Sequence, residues 1–307
     1  MALPATQVWE VRPTNGTANA GGGFDPSVAS PGTDFSQQNA VQVAYTDLVI
    51  DAVTNTNVTS AASPFGASHV GNTIAVTGGT GFTTGLYSVR SVSGVIATLD
   101  RAVGTVGSTG GTGNLGGARS GFTPGTTTLQ ASLVAGNKVW VKNEAWNEAV
   151  TFSVAGTAGL PITIEGYNTA RADNPTGANR PTNDRATVAG DGIAVNVAFH
   201  ILKHLRVTRA GDAGISLASA GDNSTLVNCR SYNNGVEGVE VAAGSADNAY
   251  IGCEFDTNTG SGLGLGSGKA LCFGCYIHDN GTFGIDSIGT FPAIIMSFSI
   301  SEANGNH

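Results

Sequence analysis

The chain has 307 residues, enough for two or three domains or one extended solenoid. Glycine supplies 45 of them, 12% are charged and 40% are hydrophobic, a turn-rich β composition too apolar for disorder. A net charge of −8 with no Lys/Arg cluster argues against nucleic-acid binding, and no run approaches the roughly 18 apolar residues of a membrane span. The opening MALPATQVWEVRP lacks a basic segment followed by an apolar one, so no signal peptide is expected and the protein reads as soluble and made in the cytosol.

Residues 1–46 read as an N-terminal arm or attachment segment. An alternating run, Val8-Trp9-Glu10-Val11, precedes a Gly-, Pro- and Ser-rich stretch at 21–36 that reads as a long structureless loop. Asp34 or Ser36 would cap a short helix over 37–45. Residues 47–120 read as a small β domain, a sandwich or barrel, with strands near 48–52, 72–77, 85–92 and 95–101 and turns at Gly78-Gly79 and Ser93-Gly94. The low-complexity run at 103–125 reads as a linker, and 121–134 as linker and cap, with a short helix over 126–134.

From 135 to 307 the chain reads as a parallel β-helix. Val139, Val141, Ile162 and Ile164 mark its first coil, 169–187 reads as an extruded polar loop, and the pattern resumes with Val188, Ile193, Val195 and Val197. From His204 onward a 22–24-residue unit repeats. Leu205, Cys229, Cys253, Cys275 and Phe298 form one column; Asn234, Asn258, Asn280 and Asn304 a second; Gly214, Gly238, Gly262 and Gly284 a third. Each unit has apolar residues at alternate positions and no room for a helix, so two or three short strands per coil are expected. Equivalent residues then stack about 4.8 Å apart, and parallel strands should wind right-handed. The apolar column points inward and the Asn column forms an amide ladder, with the glycines of the NG pairs taking positive φ. Cys272 and Cys275 form a CxxC, but without a second pair they read, with Cys229 and Cys253, as buried free thiols.

Two resemblances add to this reading. GNKVWV (136–141) and GLPITIEGY (159–167) resemble the opening coils of right-handed parallel β-helix proteins of the pectate-lyase-like superfamily, over roughly 135–307. VWEVRPTNGTANAGGGFD (8–25), TDFSQQNA (33–40) and the glycine-rich strands at 71–111 resemble a module of tailed-bacteriophage structural proteins. The second resemblance implies a virion component: a head decoration protein, fibre or tail spike. It would form a homotrimer, attach to capsid or tail proteins through its N-terminal part, and meet a host surface glycan. The chain stops in mid-coil at Asn304-Gly305-Asn306-His307, which implies either a subunit covering that end or a longer polypeptide.

Chemistry on such a scaffold needs paired carboxylates or a Ca²⁺-binding carboxylate cluster. Tyr232, Asp256 and His278 fall in one outward column and Arg230, Glu254 and Tyr276 in another. Arg230, Tyr232 and Tyr276 are the candidate saccharide contacts. Asp256, Glu254, His278 and Asp279 are the candidate catalytic groups if the protein is a polysaccharide hydrolase or lyase. Glu240 and Asp286 lie on another face, two coils apart. The lyases' Ca²⁺ cluster and catalytic Arg have no matching motif, so a non-enzymatic role is expected, with no cofactor and no metal. His204 and His278 read as surface or turn residues, and Trp9, Trp140 and Trp146 as core or interface anchors.

Overall fold

A computed structural model describes residues 3–266, 269–287, 293–297 and 299–305. The chain divides into two compact units, Met1–Val139 and Trp140–His307.

The first unit contains a closed barrel of six antiparallel strands, in the order Val43–Ile50, Asn57–Thr59, Ile96–Leu99, Gly85–Ser93, Thr73–Gly78 and Gly111–Leu115. The last strand bonds both Val43–Ile50 and Thr73–Gly78, so the sheet has no free edge. Two expectations fail here for identifiable reasons. The helix over 37–45 is a single 3₁₀ turn, Phe35–Gln37, whose cap Asp34 accepts from Ser36 N; the chain then enters Val43–Ile50. A register shift between Tyr45 and Leu48 breaks the two-residue alternation that would have announced this strand. The linker at 103–125 contains the closing strand, whose inward positions are Gly111, Gly113 and Leu115. A β-carbon on Gly111 would sit 2.4 Å from the Phe82 ring, so close packing erased the hydrophobic signal.

The stretch at 21–36 is not a structureless loop. Gly23–Phe24 pairs with Val8–Val11, Gly32 N donates to Val70 O at 2.8 Å, and the buried Asp25 accepts from Arg90. The buried Arg119 guanidinium donates to the carbonyls of Ala18, Ala20, Pro124 and Thr127, tying both flanks of the barrel sequence together. Within 126–134 the helix is one turn, Leu129–Ser132.

The second unit is a parallel β-solenoid of three sheets. One sheet runs Lys138–Lys142, Ile162–Tyr167, His200–Lys203, Thr225–Val227, Asn248–Ile251, Lys269–Phe273 and Ala293–Ser297. A second runs Ala145–Trp146, Thr182–Asp184, Arg206–Thr208, Arg230–Tyr232, Glu254–Asp256, Tyr276–His278 and Ile300–Glu302. The third runs Val150–Phe152, Ile193–Val195, Ile215–Leu217, Val239–Val241, Leu263–Leu265 and Ile285–Ser287. The polar loop at 169–187 is therefore shorter than its composition suggests, since Thr182–Asp184 pairs with strands on both sides. Val188, read as an inward residue, is exposed; Ile193 and Val195 are buried. All three tryptophans are buried.

The columns have the meaning their spacing implies, with two corrections. Leu205, Cys229, Cys253 and Cys275 are buried, and all four cysteines are free thiols. The thiols of Cys229, Cys253 and Cys275 donate to Leu202 O, Leu226 O and Tyr250 O at 3.4, 3.4 and 3.2 Å. In the next coil Ile300 pairs with Tyr276, and Ser299, whose hydroxyl accepts from Cys275 N, follows in the column. Phe298, expected there, lies outside the described residues.

The asparagine ladder is continuous. Asn234 Nδ2 donates to Asn258 Oδ1 at 2.8 Å, Asn258 Nδ2 to Asn280 Oδ1 at 2.9 Å, and Asn280 Nδ2 to Asn304 Oδ1 at 2.9 Å. Each carbonyl also takes a backbone N–H of the preceding coil, as Asn258 Oδ1 does from Asn234 N at 3.1 Å. The third column's glycines follow from this ladder: a β-carbon on Gly238 would lie 2.7 Å from Asn258 Nδ2, and one on Gly284 would lie 2.7 Å from Asn304 Nδ2. Positive φ, however, does not belong to the NG glycines. It falls one residue before the ladder, at Arg209, Asn233, Thr257, Asp279 and Ala303, and again at His204, Asn228, Gly252 and Gly274. These two left-handed hinges bracket the four strands Arg206–Thr208, Arg230–Tyr232, Glu254–Asp256 and Tyr276–His278, each of three residues. The NG glycines answer a close approach instead: a β-carbon on Gly281 would meet Thr259 O at 2.2 Å.

Candidate functional site

Two outward columns of the second sheet converge into one polar face. Its short strands present residues i and i+2 to solvent, because side chains alternate and the central residues (Ser231, Phe255, Ile277) point into the core. Register places Arg206, Arg230, Glu254 and Tyr276 side by side, and Tyr232, Asp256, His278 and Glu302 beside them. All six residues proposed from sequence for these columns are thus brought together, with Asp279 adjoining His278.

Arg230 is the hub. Its Nε and one terminal nitrogen bind Asp256 at 2.8 and 2.7 Å, a two-pronged contact, and Nε lies 3.5 Å from Glu254 Oε2. The Asp256 carboxylate, almost fully buried, holds the guanidinium yet more firmly protonated. Arg230 also lies 4.4 Å from the Tyr232 ring centre. Arg206 lies 5.0 Å from the same centre and donates to the Tyr232 hydroxyl at 2.5 Å. One coil on, Tyr276 stacks on His278 with centroids 3.9 Å apart and donates its hydroxyl to Glu302 at 2.8 Å. His278 Nδ1 contacts Asp279 Oδ2 at 2.7 Å, and Nε2 lies 3.5 Å from Glu254 Oε1.

Arg206 and Glu302 were not singled out from sequence. The signal was present in the step: Arg206 precedes Arg230 by 24 residues, and Glu302 follows His278 by 24. His204 is a buried, left-handed turn residue, whereas His278 has both an acidic neighbour on its own strand's end and a carboxylate pair across the ladder.

The face suits recognition of a polar ring better than bond cleavage. Asp256 and Glu254 share a single guanidinium, and their closest oxygens lie within 4.8 Å of each other. That is below the roughly 6.5–9.5 Å of an inverting pair and nearer the about 5–5.5 Å of a retaining pair, but here both carboxylates are engaged by the one guanidinium. Tyr276, by contrast, is 39% exposed and offers an aromatic surface flanked by hydrogen-bonding groups.

The third sheet has an opposite character. Its outward column is Ser216, Glu240, Gly264 and Asp286. Glu237 lies over Gly264, where a β-carbon would come 3.1 Å from its Cγ. Burial pushes the Glu237 carboxyl above its usual range, and Glu240, Asp286 and Asp212 push it further. Burial, then Asp191 and Asp212, raise Glu240; burial raises Asp191. A groove lined by Glu237, Glu240, Val241 and Gly264 runs along this face.

Residues 137–298 match the family model described as "Right handed beta helix region". No curated protein sequence matches the chain. Among solved structures, pectate lyase Pel9A is 21% identical with a TM-score of 0.49, covering 57% of this chain and 48% of its own. An alginate lyase from Paenibacillus sp. is 13% identical with a TM-score of 0.36, covering 52% and 69%. The tailspike protein gp49 from Pseudomonas phage LKA1 is 11% identical with a TM-score of 0.20, covering 87% and 64%. The chain spans about half the length of the pectate lyase it matches.

Proposed function

The chain belongs to the right-handed β-helix family, and from that premise we propose that it is a structural protein of a phage particle whose solenoid presents a saccharide-binding face. The observation that carries the binding role is the second sheet's surface. Tyr232 lies against two guanidinium groups, Tyr276 is exposed, and the polar partners around them are fixed by ion pairs. The virion role rests on the N-terminal segments at 8–25, 33–40 and 71–111. The protein would attach to capsid or tail proteins through its first unit and act as head decoration, fibre or tail spike. Among the described residues no helix is long and apolar enough to cross a membrane. A homotrimer fits the outer face of the first sheet, where Ile251, Leu271, Phe273 and Ile295 are exposed. A monomeric mass at micromolar concentration would contradict the trimer.

Quantitative mass spectrometry of purified particles tests the virion role. Tens to hundreds of copies per particle indicate head decoration, and a few copies in multiples of three indicate a spike or fibre. Absence from particles overturns the reading.

A depolymerase reading is favoured by a different observation, the spacing of carboxylates on the third sheet. Glu240 and Asp286 stand two strand spacings apart, about 9.6 Å between backbones, near the separation of inverting glycosidases. If purified protein shortens a host polysaccharide, Glu237→Gln or Glu240→Gln should remove turnover, and Glu254→Ala with Asp256→Ala should leave it. The reverse pattern would move catalysis to the second sheet.

A further inference from the structure

The second sheet's face contains an arrangement that saccharide binding does not use. Glu254, Asp256 and His278 each offer one ligand atom, and the three atoms lie within 4.8 Å of one another. His278 is the informative member. Its ring is fixed by the stack on Tyr276 at 3.9 Å and by the 2.7 Å contact from Nδ1 to the Asp279 carboxylate. A carboxylate behind one ring nitrogen is the arrangement by which metal-binding imidazoles are oriented, with the other nitrogen, here Nε2, as the ligand atom. Nε2 is buried without a hydrogen-bond partner and faces Glu254 Oε1 at 3.5 Å. Nε2 and the Glu254 carboxylate oxygen thus face a common point that a bound cation would occupy.

We propose that Glu254, Asp256 and His278 bind a divalent transition-metal ion of the zinc class, with Asp279 as the positioning residue behind the imidazole. With bonds of about 2.0–2.2 Å, ligand atoms around one ion are roughly 3–4.3 Å apart; the Nε2–Glu254 pair at 3.5 Å falls in that range, and the whole set, within 4.8 Å, needs only a small side-chain shift to close on the ion. One imidazole nitrogen with two carboxylate oxygens suits zinc, cobalt or manganese better than calcium, whose sites are built from oxygen alone. Arg230 does not block the ion, because Asp256 Oδ1 has a second lone pair beyond the one it gives the guanidinium, whereas Oδ2 also accepts from the Thr257 hydroxyl at 3.2 Å. The local charge also fits. Glu254, Asp256 and Asp279 face one guanidinium, and a divalent ion brings the group to neutrality. The ion would bridge Glu254–Asp256 to Tyr276–His278, adjacent coils of the solenoid, and leave its solvent side open. The site stands whether or not the face binds a saccharide.

Cobalt(II) titration of the chelator-treated full chain tests it, read by visible absorption. One cobalt per chain is expected, with d–d bands and no thiolate-to-cobalt charge transfer. His278→Gln and Glu254→Gln should each weaken uptake at least about tenfold, and Asp279→Asn about tenfold, with circular dichroism unchanged. Should a variant fail to fold, zinc must still raise the Tm of the wild-type chain. No uptake at millimolar cobalt, uptake undiminished in folded His278→Gln, or a thiolate band from Cys229, Cys253, Cys272 or Cys275 overturns the proposal.

Discussion

The second and third sheets of the solenoid share one core and one repeat, yet their outer faces solve the charge problem differently. On the second sheet, the carboxylates of Glu254 and Asp256 pair with Arg230, and Asp184 with Arg209 at 2.6 Å. On the third, Asp191, Asp212, Glu237, Glu240 and Asp286 gather without such a partner among the described ion pairs, and burial with mutual repulsion raises several of them. A solenoid imposes a column, not its contents. Where the column mixes signs, ion pairs hold it as a rigid surface suited to recognition. Where it repeats one sign, burial and repulsion raise the carboxyls of Asp191, Glu237 and Glu240.

The largest effect is expected at the corner that the two faces share. Asn258 follows Glu254–Asp256 and precedes Leu263–Leu265, and its buried amide serves Asn234 on one side and Asn280 on the other. Asn258→Ala strands several buried polar groups and should cost about 3 kcal/mol, read by denaturant unfolding. A cost near zero would mean that the ladder is ornamental. Next, Arg230→Ala leaves the buried Asp256 carboxylate unpaired and should cost about 2 kcal/mol. Adding Asp256→Asn should recover part of that loss, because the uncompensated charge is then gone. Thr257→Gly should act in the opposite sense. Thr257 is β-branched and held at φ 53°, so glycine should stabilise by about 1 kcal/mol, seen as a raised Tm.

The smallest effect separates the faces by pH. A carboxyl whose folded-state pKa is raised binds its proton more tightly in the native state. Its contribution is complete below the ordinary carboxylate range and is lost as pH rises through the folded value. The third face should therefore make the protein less stable as pH climbs from that range towards neutrality, and Glu237→Gln with Glu240→Gln should flatten this slope. Asp184, lowered by its hydrogen bonds from Arg209, acts the other way: its contribution is present above the ordinary range and lost on acidification. Melting temperature against pH for wild type and variants measures both.

Repetition explains how much was legible. The parallel solenoid, the thiol column and the ladder each announced themselves several times, so one misleading coil did not hide them. The slip at Phe298 arose from taking the aromatic neighbour in place of Ser299, although Cys275 to Ser299 and Asn280 to Asn304 are both steps of 24 residues. The barrel offers no such redundancy. Val43–Ile50 is masked by a register shift, and Gly111–Leu115 by glycines that the Phe82 ring requires. The site's members were legible as columns, but Arg230's choice of Asp256 over Glu254, and the orientation of the His278 ring, depend on side-chain packing that spacing does not carry.

The central claim is that the second sheet's face binds a saccharide without cleaving it. The most direct measurement is binding of the purified chain to an array of bacterial surface polysaccharides, alongside Tyr276→Ala and Arg230→Ala, with product release followed in parallel. The account predicts binding to at least one polysaccharide, loss of at least tenfold in affinity in each variant (about 1.4 kcal/mol), and no shortening of the chain at the second face. Binding that persists unchanged in both folded variants, or turnover that disappears with Glu254 and Asp256, would contradict it.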